Sequence, residues 1–291
     1  MKDGFFPALG TPLDAEGRLN RSSFEKQIET MIESGASGLL CMGSMGNMSS
    51  IRDEVYPDVA EACVEVVSGK APVMIGVMDN SVSRVMDRIF ALGELDIEGV
   101  VATTPFYYKS TDEQIYRFFS MLADDSYFPI YIYDLSVVTQ SPVTYEVLAE
   151  LMKHDNIKGI KSANIDMLSK VISEGVTEGF DILFSGLDIF DEAIQKGIRK
   201  NLDGMFTATP LNTKLMYEAA GKGDSEKVTE HLERIVRLRD EFVKSSVFTA
   251  YSYAMNLLGM PGVYQPDYHG RVKPDAIEGI KNCMREIGEL E

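Results

Sequence analysis

Short apolar segments rich in β-branched residues alternate along most of this chain with longer segments in which apolar residues recur at helical spacing. Eight such strand–helix units follow one another without interruption, which favours parallel strands joined by right-handed crossovers. Eight parallel strands close into a barrel, so the pattern predicts a (β/α)8 TIM barrel. The predicted strands are Phe5–Leu9, Gly38–Met42, Val73–Met78, Val100–Thr104, Ile130–Asp134, Ile157–Lys161, Ile182–Ser185 and Met205–Ala208.

An open, doubly wound α/β sheet is the other architecture that this alternation can form. Such a sheet usually carries a Gly-x-Gly-x-x-Gly turn after its first strand. The corresponding segment here reads GTPLDAEG, and the later segment GSMGN is too short to form a phosphate-binding loop. The barrel is therefore the favoured architecture.

The last quarter of the chain has a purely helical pattern. The predicted helices are Asp224–Lys244, Phe248–Leu258 and Pro274–Leu290. No linker or change of composition separates them from the barrel pattern. We therefore expect residues 1–222 to form the barrel and residues 223–291 to form a C-terminal helical extension of the same structural unit.

The charge balance limits the partners that this chain can bind. The 291 residues include 28 Lys and Arg against 45 Asp and Glu, which gives a formal net charge of −17 at pH 7. Such a chain repels phosphate backbones and anionic lipid surfaces, so we expect neither a nucleic acid nor a membrane among its partners. No apolar run approaches the ~20 residues that a membrane-spanning helix needs.

The cysteines indicate a reducing environment. Cys41, Cys63 and Cys283 are an odd number, at spacings unlike those of metal ligands. This is typical of free thiols in a reducing compartment. The first residues also lack the apolar run of a secretory signal. We therefore expect a cytoplasmic protein without a metal site.

Reactive side chains are concentrated at the carboxyl ends of the predicted strands, where TIM barrels place their active sites. The sixth strand, in IKGIKSAN, ends in Lys161, and the fifth, in PIYIYDLS, presents Tyr133 near its end. The second strand runs into a turn that contains Ser44, and Tyr107 follows the fourth. A lysine with tyrosines and hydroxyls suits imine chemistry, in which a neutral amine attacks a ketone and tyrosine moves protons.

Each of these side chains also has an ordinary structural interpretation. A strand-end lysine usually reaches solvent, and Tyr133 and Tyr107 are more often packed at the edge of a core than engaged in proton transfer. The Gly43–Gly46 segment can be a tight turn between strand and helix. Asp188 can cap a helix that begins at Ile189. Residue spacing alone leaves both interpretations open.

Five segments, in their order and spacing, resemble the dihydrodipicolinate synthase/N-acetylneuraminate lyase family: GFFPALGTP, GLLCMGSMGN, TTPFYYK, PIYIYDLS and GIKSAN. The resemblance extends over essentially the whole chain. It implies a class I aldolase barrel, assembled as a homotetramer from tight dimers, that forms a lysine imine with pyruvate or a related 2-oxo acid. It also implies an aldehyde as the second partner, and neither a metal nor an organic cofactor.

The resemblance assigns roles to individual residues. Lys161 matches the imine-forming lysine, and Tyr133 matches the tyrosine that moves protons at the imine. Ser44 and the backbone of Met45 match the turn that holds the pyruvate carboxylate, and Ser44 also relays protons. Tyr107 matches a tyrosine that, in many members, reaches into the site of the neighbouring subunit.

Departures from the family pattern narrow the substrate. Where dihydrodipicolinate synthases carry an arginine for the carboxylate of their second substrate, this chain has Val138, so we expect little synthase activity. Asp188 is retained from the N-acetylneuraminate lyase pattern, but Ile189 replaces the neighbouring carboxylate. With Phe206 as a further candidate contact, we predict an aldolase or lyase acting on a hydroxylated 2-oxo acid of the sugar-acid type. Dihydrodipicolinate synthase and N-acetylneuraminate lyase remain the alternatives.

Three further departures keep open an alternative of another class, although the retained pair of Lys161 and Tyr133 argues against it. Met45 stands in place of a hydroxyl residue, Asn47 in place of a glutamate, and Asp134 in place of the asparagine that follows the tyrosine. A carboxylate beside Tyr133 would raise the pKa of that tyrosine and favour a protonated lysine, and both effects slow imine formation. The alternative is a catalytically silent barrel that binds a 2-oxo acid.

Overall fold

Eight parallel strands form a barrel in the computed structural model, which describes residues 1–175 and 177–291. The strands are β1 Gly4–Pro7, β2 Leu39–Cys41, β3 Val73–Gly76, β4 Gly99–Thr103, β5 Ile130–Asp134, β6 Ile157–Ser162, β7 Asp181–Phe184 and β8 Lys200–Asp203. From β2 to β8 each strand pairs with the next, and β8 pairs with β1 over four residues. An isolated bridge between Ala8 and Leu40 joins β1 to β2. The predicted barrel is confirmed.

Helices surround the strands. Those between successive strands are α1 Arg21–Glu33, α2 Tyr56–Val67, α3 Val82–Ala91, α4 Asp112–Asp125, α5 Ser136–Thr139, α6 Tyr145–Leu151, α7 Ile165–Ser173 and α8 Phe190–Gln195, with a 3-10 turn at Leu187–Ile189. After β8 come α9 Met205–Ala208, α10 Pro210–Gly221, α11 Ser225–Val243, α12 Val247–Leu257 and α13 Pro274–Glu286. In α1, Phe24, Ile28 and Met31 recur at helical spacing and are buried, which is why this segment is a helix packed against the barrel.

The strands are buried on both faces. Every residue of β4 and β5 is buried, because one face of each strand lines the lumen and the other lies under helices. Such strands read as continuous apolar runs, so sequence patterns find them readily. The first seven predicted strands agree with the observed ones to within two residues at each end.

The eighth predicted strand is wrong. Residues Met205–Ala208 form the helical turn α9, and β8 lies five residues earlier, at Lys200–Asp203. A short apolar run is compatible with a strand or with a buried helical turn, whereas the polar segment KNLD hides the real strand. The Asp203 side chain accepts a hydrogen bond from the Met205 backbone N–H and so stabilises the turn. Phe206 therefore lies on α9.

The predicted C-terminal helical extension is present, as α11, α12 and α13, and it is tied to the barrel by polar contacts. The Glu289 carboxylate accepts hydrogen bonds from the backbone and the side chain of Asn212 at the start of α10. Arg239 of α11 forms a bidentate ion pair with Asp188, which follows β7. Within residues 1–175 and 177–291, no helix combines the length and the apolar character needed to cross a membrane.

Candidate active site

Three inward-facing side chains stand side by side at the C-terminal ends of β4, β5 and β6. Thr103 is the register partner of Tyr133, and Tyr133 is the register partner of Lys161. Register partners on adjacent strands point to the same face, so these side chains occupy one level of the barrel. The Lys161 Nζ lies 3.7 Å from the centre of the Tyr133 ring.

The amine of Lys161 does not extend into solvent. The residue is only 6% exposed, and Tyr133 is only 5% exposed. Among the residues that the structure describes, no carboxylate lies within ion-pairing distance of Lys161. The ordinary interpretation of a solvated strand-end lysine is therefore wrong. A buried amine that no counter-ion holds is available to a ligand in the barrel mouth.

Asp134 and Ser162 follow Tyr133 and Lys161 on the same two strands and point to the opposite face, because successive strand residues alternate. The Ser162 hydroxyl donates to Asp134 Oδ2 over 2.8 Å, and the Val143 backbone N–H donates to Asp134 Oδ1 over 3.2 Å. Burial raises the pKa of the Asp134 carboxyl, and these hydrogen bonds and the charge of Lys161 oppose the rise. Asp134 is thus held by β6 and by the segment that precedes α6, and it faces away from Tyr133.

Ser44, in the turn after β2, adds a third hydroxyl to those of Thr103 and Tyr133. Its Oγ lies 3.4 Å from the Tyr133 hydroxyl oxygen. The turn is tight, since Asn47 N–H donates to the Ser44 carbonyl and Asn47 has a positive φ of 55°. An asparagine tolerates this left-handed conformation better than most residues, which gives Asn47 a structural reason to be there.

The backbone of this turn offers several free donors. The N–H groups of Ser44, Met45 and Gly46 donate to no other group among the described residues. Successive unpaired N–H groups in a turn form a concave site suited to an anion. The Met45 side chain packs against Gly204 at the end of β8, where an added Cβ would lie 2.1 Å from Met45 Cγ.

A carboxylate that the sequence pattern missed also lies at the C-terminal ends of the strands. Asp203 ends β8, and burial raises the pKa of its carboxyl, while the Met205 N–H and the charges of Lys161 and Arg239 oppose the rise. It was missed because β8 was predicted five residues too late. The correct strand end would have placed Asp203 alongside the other candidates.

The remaining predicted residues lie apart from this cluster. Tyr107 is 76% exposed, and its backbone N–H, like that of Phe106, donates to the Asn80 side chain. Asp188 is held by Arg239, which keeps the pKa of its carboxyl below the ordinary value. Phe206 is fully buried and packs with its ring edge toward Phe5, so it belongs to the aromatic core.

A cavity of about 230 Å³ opens beside Ser44. Ten residues line it, and none of them is charged: Ser44, Met48, Ser49, Met78, Thr103, Phe106, Leu135, Val138, Thr139 and Phe248. Phe248 comes from α12 of the C-terminal extension, and no strand-end pattern could have pointed to it. Over the described part of the chain, no group of three His, Cys, Asp or Glu side chains is arranged to hold a metal ion.

The structure is a (β/α)8 barrel with a buried lysine, a tyrosine and hydroxyl side chains at its C-terminal mouth. The model of the dihydrodipicolinate synthetase family matches residues 1–267. The chain therefore belongs to the dihydrodipicolinate synthetase family, whose enzymes are pyruvate-dependent class I aldolases that make C–C bonds through a Schiff base.

Relatives agree with this membership, and solved structures agree with the fold. The chain is similar to the 4-hydroxy-tetrahydrodipicolinate synthase of Pseudomonas putida (strain W619), with 27% identity over the whole of both chains. It is also similar to that of Methanospirillum hungatei JF-1, with 27% identity over 89% of this chain and 90% of the other.

Among solved structures, the fold is similar to dihydrodipicolinate synthase from Thermotoga maritima, with a TM-score of 0.91 and 22% identity over all of both chains. It is also similar to a pyruvate complex of a prophage protein of the same family from E. coli K12, with a TM-score of 0.90 and 20% identity over 99% of both chains.

Proposed function

We propose that Lys161 forms an imine with pyruvate and that the enzyme reversibly makes or cleaves a 4-hydroxy-2-oxo acid. The observation that carries the proposal is the buried Lys161 amine, which lies against the Tyr133 ring without an ion-pair partner among the described residues. An amine in such a place is available as a nucleophile, whereas a lysine bound to a carboxylate is not.

The proposed reaction begins when Lys161 Nζ attacks C2 of pyruvate and water leaves. Loss of a proton from C3 gives an enamine, and C3 then attacks the carbon of an aldehyde. The aldehyde oxygen takes up a proton and becomes the 4-hydroxyl, and water finally releases the product and restores the amine. Tyr133 is positioned to move these protons, and Ser44 Oγ, 3.4 Å from the Tyr133 hydroxyl, extends the path.

The pyruvate carboxylate would bind at the turn after β2. The free N–H groups of Ser44 and Met45 and the Ser44 hydroxyl supply donors there without a full positive charge. This arrangement supports the assignment of Ser44 and Met45 as substrate-binding residues. Tyr107 is exposed in one chain, which is compatible with a role in the neighbouring subunit of a cytoplasmic homotetramer. Sedimentation of the purified protein tests that assembly.

Synthase activity is the alternative that the names of the relatives raise. The structure places Val138, rather than an arginine, in the lining of the cavity beside Ser44. A carboxylate-bearing aldehyde would find no cation among the residues lining that cavity. We therefore expect negligible condensation of pyruvate with aspartate semialdehyde.

Borohydride trapping tests the imine directly. The protein is incubated with pyruvate and borohydride, and the modified peptide is identified by mass spectrometry. We expect a reduced pyruvyl adduct on Lys161 and none on Lys161→Ala. Lys158→Ala is the matched control, because Lys158 lies on the same strand but is exposed, and it should trap as the parent does. Absence of the adduct on the folded parent would favour the silent, 2-oxo-acid-binding barrel.

A further inference from the structure

We propose that the aldehyde partner carries an apolar substituent about the size of a ring, as benzaldehyde does. The corresponding 2-oxo acid is then a 4-aryl-4-hydroxy-2-oxo acid. This inference rests on the proposed imine chemistry at Lys161 and names the class of aldehyde that the same site accepts. It replaces the sugar-acid substituent that the sequence favoured.

The walls of the cavity beside Ser44 carry the inference. The apolar lining comes from six side chains: Met48, Met78, Phe106, Leu135, Val138 and Phe248. An apolar cavity on the order of 150 Å³ is enough to hold benzene, and this one measures about 230 Å³. A ring therefore fits with room for the attached aldehyde group.

Two of the four hydroxyl residues that line the cavity, Thr103 and Ser44, lie beside Tyr133. The Thr103 hydroxyl is buried and has no hydrogen-bond partner among the described residues. Thr103 lies on the strand next to Tyr133, at the same level. Ser44 lines the cavity and contacts Tyr133. Because the Ser44 hydroxyl already serves the pyruvate carboxylate, the unpartnered Thr103 hydroxyl is the donor left for the aldehyde oxygen, and the apolar walls receive the substituent.

A polyhydroxylated substituent would find few partners in the same space. The Thr139 hydroxyl already donates to the Ser141 carbonyl, and Ser49 is exposed at the rim. Asp188, the carboxylate retained from the N-acetylneuraminate lyase pattern, is engaged on both oxygens by Arg239. Hydroxyl groups placed against the methionine and phenylalanine side chains would lose their hydration without replacement.

Competition between aldehydes tests the proposal on the intact protein. First, exchange of the pyruvate methyl protons for deuterium is followed by NMR, which reports enamine formation without any aldehyde. Pyruvate is then combined with benzaldehyde, glyceraldehyde or aspartate semialdehyde, and the 4-hydroxy-2-oxo acids are quantified by mass spectrometry. We expect kcat/KM for benzaldehyde to exceed that for glyceraldehyde at least about tenfold.

Proton exchange tests the imine chemistry, and the comparison of aldehydes tests the apolar substituent. Proton exchange with a preference for glyceraldehyde or aspartate semialdehyde overturns the apolar substituent and leaves the imine chemistry standing. A lack of exchange overturns the proposed function and this inference with it. Exchange with turnover of benzaldehyde as the preferred acceptor supports both.

Neighbouring valines supply a matched pair of variants. Val138 lines the cavity, whereas Val137 does not line it and is 88% exposed. Val138 is itself 56% exposed, but Val138→Arg adds a charge and bulk at the wall of the cavity, so we expect kcat/KM for benzaldehyde to fall at least about tenfold relative to Val137→Arg. Equal values for the two variants would show that the ring does not bind in this cavity.

Discussion

Two tyrosines of β5 show how differently the two mouths of the barrel use the same side chain. Tyr131 points into the N-terminal mouth, where its hydroxyl lies 3.3 Å from Glu98 Oε1 and 3.2 Å from Asp181 Oδ2. Tyr133, two residues later, points into the C-terminal mouth. Among the described residues, the Ser44 hydroxyl is its one hydrogen-bond partner, at 3.4 Å.

The two mouths of the barrel also differ in how tightly the tyrosine ring is packed and in whether the lysine has an ion-pair partner. The ring of Tyr131 occupies space left by Gly99 and Gly159, where an added Cβ would lie within 3 Å of it. Lys200 Nζ lies 3.4 Å from Asp181, so the lysine at this mouth is paired. At the other mouth, the Lys161 amine rests on the Tyr133 ring and no described carboxylate pairs with it.

The comparison indicates that the polar groups of the N-terminal mouth stabilise the fold. At the N-terminal mouth the Tyr131 hydroxyl and the Lys200 amine have partners within the protein, so binding a ligand to them would gain little. At the C-terminal mouth the Thr103 hydroxyl and the Lys161 amine have no hydrogen-bond or ion-pair partner within residues 1–175 and 177–291, so these are the groups that we propose bind a substrate. The same substitution at the two tyrosines should therefore change different properties.

Tyr133→Phe should have the largest effect. It removes the hydroxyl proposed to move protons at the imine while leaving the buried ring in place. We expect the rate of pyruvate proton exchange to fall by about 10²–10⁴-fold, with little change in the free energy of unfolding. NMR exchange and urea denaturation measure the two quantities. A parental exchange rate would remove Tyr133 from the proposed mechanism.

Tyr131→Phe should show the opposite pattern. Burial, with the charges of Asp181 and Glu98, raises the pKa of Tyr131 well above its ordinary value, so it is a neutral donor to these carboxylates. Loss of that donor should lower the free energy of unfolding by about 1–2 kcal/mol, whereas pyruvate exchange should continue at the parental rate. A large loss of exchange in a stably folded variant would contradict the division between the two mouths.

Asp134→Asn should have the smallest effect. We expect this effect only in the pH dependence of the free energy of unfolding. Burial raises the pKa of Asp134 above its ordinary value of 3.8. Between those two pKa values the folded state binds more protons than the unfolded state, so the free energy of unfolding falls as the pH rises. The variant lacks this loss and should gain stability relative to the parent from pH 4 to pH 7.

Thermal unfolding of both proteins at several pH values measures this difference. An asparagine can still accept a hydrogen bond from Ser162 or Val143, so the variant is expected to fold. A stability difference that does not change with pH would mean that Asp134 titrates in the folded chain as it does in the unfolded chain. A fall in pyruvate exchange would instead show that Asp134 acts on Tyr133 in spite of facing away from it.

Seven of the eight strands could be predicted from the sequence, because most of the barrel strands are continuous apolar runs. Lys161 and Tyr133 were found in this way, since each stands near the end of such a run. The eighth strand was predicted wrongly because β8 is not a continuous apolar run. Its segment KNLD contains a lysine, an asparagine and an aspartate, and their burial depends on neighbours from β1 and β7. Asp203 was lost as a candidate along with the strand.

The amino-acid sequence by itself determined the alternation of strands and helices, and with it the end of the barrel at which Lys161 and Tyr133 stand. Periodicity is a local property, so neighbouring residues suffice to express it. Only the tertiary structure decided what these residues face. The register between β5 and β6 places Lys161 beside Tyr133. Arg239 of α11 forms an ion pair with Asp188, and Phe248 of α12 contributes to the wall of the apolar cavity. Such contacts join residues far apart in the chain, and no local pattern encodes them.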